Sequence, residues 1–78
     1  MLYFNKSSIK FENDSWVIYN PSELPLTVEI FDYLGNHILR KNVSEKNSHL
    51  NLDALKAGPY LVKFKSPHEQ GFQRIFLK

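Results

Sequence analysis

LTVEIFDYLGNHILRKNV, residues 26–43, is two short alternating stretches set around a glycine. Successive side chains of an extended chain point to opposite faces. Leu26, Val28 and Ile30 therefore share one face, and Thr27, Glu29, Phe31 and Tyr33 the other. Gly35 and Asn36 are residues that tolerate the positive φ of a tight hairpin. The segment 37–43 then returns as a second strand. A period of two on both sides of a turn predicts antiparallel pairing with one face in the core.

The same pattern extends outward. SIKFE (8–12) and SWVIY (15–19) flank Asn13 and Asp14, a dipeptide suited to a tight turn. NPSELP (20–25) breaks the pattern with two prolines, and SHLNL (48–52) alternates again. PYLVKFK (59–65) sets Tyr60, Val62 and Phe64 against Leu61, Lys63 and Lys65. FQRIFLK (72–78) follows the polar loop SPHEQG (66–71). About seven short strands with turn signals between them predict an all-β fold, a small antiparallel immunoglobulin-like β-sandwich, occupying residues 1–78 as a single domain. Val28, Ile30, Leu50, Leu52, Leu55, Tyr60, Val62 and Phe64 are expected in its core.

LDALKAG (52–58) interrupts the alternation with good helix formers. Leu52 and Leu55 are three apart, so one helical turn brings both inward while the chain crosses between sheets. Asp53 is expected to cap that turn and Gly58 to end it in a left-handed conformation. Pro59 should open the next strand near an edge, and Tyr60 should plug the end of the sandwich.

Composition narrows the function. The 78 residues carry no cysteine, so neither a disulfide framework nor a thiolate metal site is available. The longest apolar runs fall far short of the roughly 20 residues that cross a bilayer, and the amino terminus lacks the pattern of a secretory leader. The chain is expected to be cytoplasmic or a piece of a longer exported protein. Residues 1–55 hold five Lys and Arg against seven Asp and Glu, and residues 56–78 hold five against one, so the formal charge rises from −2 to +4. This basic end lacks the motifs of nucleic-acid binding.

His37, His49 and His68 show no metal-ligand spacing, and no nucleophile, base or carboxylate pair is arranged for catalysis. No enzyme activity, cofactor or metal is expected. Trp16, Tyr19, Phe31 and Tyr33 raise a second class, a free-standing or accessory sandwich that binds carbohydrate or protein on an aromatic platform. Trp16 shares a face with Ile18, which favours core packing over display.

Three stretches taken in order carry a family resemblance. Glu29-Ile30-Phe31-Asp32 with Gly35, then Leu52, Leu55, Gly58 and Tyr60, then a basic last strand with Arg74 and Lys78 resemble the C-terminal sorting domains of the type IX secretion system of Bacteroidetes, over about residues 9–78. The resemblance implies an address rather than an enzyme. Outer-membrane secretion machinery would recognise it, a passenger protein would lie N-terminal to it, and it would pass through the periplasm to the cell surface or the medium. It further implies recognition through the last hairpin by strand addition, steered by Lys63, Lys65, Arg74 and Lys78. Gly35, Gly58 and Tyr60 are the family's structural positions.

Overall fold

The computed structural model describes residues 6–67 and 69–78. Among these the chain forms seven strands and no helix: β1 (Ser8–Glu12), β2 (Ser15–Tyr19), β3 (Leu26–Asp32), β4 (His37–Val43), β5 (Asn47–Leu50), β6 (Gly58–Ser66) and β7 (Glu69–Leu77). They make two antiparallel sheets, one ordered β1-β2-β5 and the other β4-β3-β6-β7. The expected sandwich is present.

The alternating faces behave as the sequence predicts. Leu26, Val28 and Ile30 on β3, and Val62 and Phe64 on β6, are buried and meet Ile9, Ile18, Val43, Leu52, Ile75 and Leu77 in one core. Leu50, Leu55 and Tyr60, expected inside, are only partly buried and pack against the rim of this core, as does Trp16. Asn13 and Asp14 adopt φ of 52° and 62° in the turn that pairs Glu12 with Ser15, as a tight hairpin with the right-handed twist of its strands requires.

Two local expectations are corrected. The helical turn at 52–58 is a single hydrogen-bonded turn, in which the Leu55 N–H donates to the Leu52 carbonyl at 3.1 Å. Its cap is the Asn51 side-chain oxygen, which accepts the Asp53 N–H at 2.9 Å, so Asp53 is held rather than holding. Gly58 is the first residue of β6, with φ of 139°. Pro59 pairs with Phe76 at a level where β3 has already ended, since the β3–β6 ladder begins at Asp32 and Tyr60. The second correction concerns the polar segment 66–71. It is not a long loop, because Ser66 pairs with Glu69 and both strands run nine residues.

The reason for that extension lies across the sandwich. Glu69 accepts the Ser7 N–H at 2.7 Å and the Ser7 hydroxyl at 2.8 Å. Gln73 accepts the Ile9 N–H at 3.0 Å and donates its amide to the Ile9 carbonyl. Polar side chains on the inner face of β7 thus supply the backbone partners that β1 lacks at the edge of its sheet. On the opposite side, Lys41 of β4 donates to the His49 carbonyl of β5 at 2.8 Å.

Candidate functional site

The β6–β7 hairpin places its outward residues in register with β3. Leu61 stands between Phe31 and Arg74, Lys63 between Glu29 and Phe72, and Lys65 between Thr27 and Gln70. The outer face of the four-stranded sheet is therefore a mixture of rings and cations. Phe72 and Phe76 are 61% and 63% exposed, far more than an apolar ring needs when it merely caps a core. A shallow groove of about 590 Å³ runs over this face, lined by Phe31, Tyr33, Leu61, Lys63, Phe72 and Arg74 among others.

The sequence-predicted recognition residues divide in two. Lys63, Lys65 and Arg74 share this outer face. Lys78 lies past the end of β7 and lines a separate cleft with Phe11, Trp16 and Leu55 at the end of the sandwich. Arg40, opposite Glu29, adds a cation that sequence reasoning did not single out. Among the described residues none of Arg40, Lys63, Lys65 or Arg74 joins an ion pair; the Glu29 carboxylate accepts from His37 Nε2 at 2.9 Å. His37 also sets its ring edge-on to Phe31, with centroids 5.2 Å apart.

The structural positions have specific tasks. Asp32 organises the turn between β3 and β4: its carboxylate accepts the Leu34 N–H at 2.9 Å, the Asn36 N–H at 2.8 Å and the Asn36 side-chain amide at 3.0 Å. The Asn36 side chain, followed by the backbone donors of the turn, holds the Asp32 carboxyl below its ordinary value. Gly35, with φ of 89°, donates its N–H to the Asp32 carbonyl at 3.0 Å. Tyr60 lays its ring against the core and donates its hydroxyl to the Lys56 carbonyl at 2.8 Å. Together these two devices fix one end of the grooved face, since Asp32 and Tyr60 are the terminal pair of the β3–β6 ladder.

Trp16 stacks at a tilt on Phe11, 5.3 Å between centroids, and packs against the core. The exposed rings include Phe72 and Phe76, which alternation alone could have assigned to the outer face, and Phe11. Tyr33 is exposed in the turn after β3. His37 and His49 lie in different sheets, and among the described residues no group of three metal-ligating side chains assembles. His68 lies outside the described residues. No helix among the described residues is long and apolar enough to cross a membrane.

Comparison with family models finds a secretion system C-terminal sorting domain matching residues 5–78. No curated protein and no solved structure matches the chain.

Proposed function

Because the chain belongs to the family of secretion system C-terminal sorting domains, we propose that an outer-membrane component of the machinery reads the β6–β7 hairpin, with Lys63, Lys65, Arg74 and Lys78 as its recognition residues. The domain itself is a sorting signal for type IX secretion, which directs a passenger N-terminal to it to the cell surface or the extracellular space. The reading extends to a route through the periplasm and to residues 1–78 acting as one folded, non-catalytic unit.

One observation supports the hairpin above all. β7 is a nine-residue edge strand, and its outward positions carry Phe72 and Phe76 with Arg74 as the single charge between them. Sheet edges are ordinarily guarded by short length, charges, proline or cover. The opposite edge, β4, follows that rule with His37, Arg40 and Lys41. Along β7 the Glu69 and Gln73 side chains tie the strand to Ser7 and Ile9 at the edge of the other sheet, and an added strand would pair along Arg74–Leu77, beyond those ties. Backbone pairing there would supply affinity, and cations beside it would speed encounter with an acidic partner.

The test is Arg74→Glu combined with Lys78→Glu in a domain fused to a reporter. Both side chains are exposed, so the melting temperature should hold while the rate of reporter export falls. Export at the unaltered rate would remove these residues from recognition.

A further inference from the structure

The grooved face carries more than a charge. Phe31, Leu61 and Phe72 form its apolar floor and flank, and Lys63 and Arg74 sit at diagonal register positions across it. In an isolated sheet, a half-buried Leu61 beside a 61% exposed Phe72 leaves apolar area in water, at a cost that burial against a partner would recover. The surrounding charges state the sign of that partner. Arg40, Lys63, Lys65 and Arg74 all face outward without an ion pair among the described residues, and they outnumber the carboxylates beside them, Glu29 and Asp32, whose oxygens already accept from His37 and from the β3–β4 turn.

Resting on the sorting reading above, we infer that the machinery's partner seats an apolar side chain in the Phe31–Leu61–Phe72 groove and sets carboxylates against Lys63 and Arg74. The occupant is an acidic protein segment with an aromatic or aliphatic anchor. A second copy of this chain is a poor occupant, because the four cations outnumber Glu29 and the groove-lining Asp32 by two, so pairing the face with itself would oppose one net positive surface to another. The docking site is thus a sheet face continuous with the β7 edge, and it involves Phe31, Leu61 and Phe72 in recognition beyond the cations.

A titration followed by amide NMR tests this independently of export. The probe is a capped pentapeptide alternating glutamate and phenylalanine, added to labelled residues 1–78. Shifts should concentrate at Phe31, Leu61, Lys63, Phe72 and Arg74, and Lys63→Glu with Arg74→Glu should weaken binding by about tenfold, as two screened surface pairs lost would. The matching lysine pentapeptide should leave these amides unmoved. Several results overturn the inference: no movement on this face, equal movement with the lysine peptide or with a single-stranded oligonucleotide, or concentration-dependent shifts on this face without peptide, which would make a second copy the occupant. In cells, the same double variant and Phe72→Ser should each slow reporter export with the fold retained. Undiminished export by these variants beside an active intact domain overturns the docking site alone. An inactive intact domain instead strikes the sorting reading, and the titration still decides the face.

Discussion

The Tyr60 hydroxyl donates to the Lys56 carbonyl at 2.8 Å, tying the first large side chain of β6 back over the loop that brought the chain from the other sheet. The Leu-x-x-Leu-x-x-Gly-x-Tyr spacing is thereby explained physically. Leu52 is buried, Leu55 packs at the rim, Gly58 turns the chain with positive φ and Tyr60 closes the loop. Tyr60→Phe should keep the ring and lose the bond, at about 0.5–1.5 kcal/mol. For a domain this small that lowers the melting temperature by about 4–8 °C per kcal/mol. A thermal scan of the pair measures it, and an unchanged midpoint would show that water replaces the carbonyl's partner without loss.

The two leucines of the loop should separate in stability. Leu52 is 4% exposed, so Leu52→Ala should cost about 2–5 kcal/mol. Leu55 is only partly buried, so Leu55→Ala should cost about half as much on the same scale. Chemical denaturation of both variants checks the order. Equal costs would mean that the loop lies deeper in the core than the structure places it.

Gly35 and Gly58 stand at φ of 89° and 139°, with open space where a Cβ would be. Their substitution is therefore costly through backbone conformation rather than collision. Alanine at either position should destabilise by about 1–3 kcal/mol, read by equilibrium unfolding. A neutral Gly58→Ala would show that the start of β6 can rearrange.

The clasp between β7 and β1 predicts a larger effect than a surface glutamine ordinarily gives. Gln73→Ala removes both partners from the backbone of Ile9, a residue 1% exposed, and should cost about 1–3 kcal/mol. Hydrogen exchange at the Ile9 amide should accelerate with it. Protection retained there would mean that the edge of β1 is satisfied by another group.

Asp32 gives the pH dependence. Its folded-state value is lowered, chiefly by the Asn36 side chain, so its contribution is fully present above the unfolded-state pKa and disappears as pH falls through the lower folded-state one. The melting temperature should decline on acidification through and below the usual aspartate range, and Asp32→Ala should flatten part of that decline. An identical acid limb in both proteins would remove Asp32 as a source of stability.

Much of this was legible in the sequence because period-two alternation translates directly into faces: β3 and the middle of β6 read correctly residue by residue. The segment 66–71 did not, since Glu69 and Gln73 are polar residues pointing inward. Their partners, Ser7 and Ile9, stand 62 and 64 residues away, beyond any local pattern. Helix-forming residues at 53–57 point to the single turn that forms but not to what holds it. Propensity within one turn is weak, and the Asn51 side chain with the Leu52–Leu55 bond settles the turn instead. The cations of the candidate face were visible as a charge bias. Their meeting with Phe31 and Phe72 required the strand order.

The central claim is that this folded sandwich is itself the address. Residues 1–78 fused behind a periplasmic reporter, in a host with an active type IX system, should move the reporter to the cell surface or the medium. Retention of that reporter in the periplasm, in a host where another sorting domain exports it, would contradict the account.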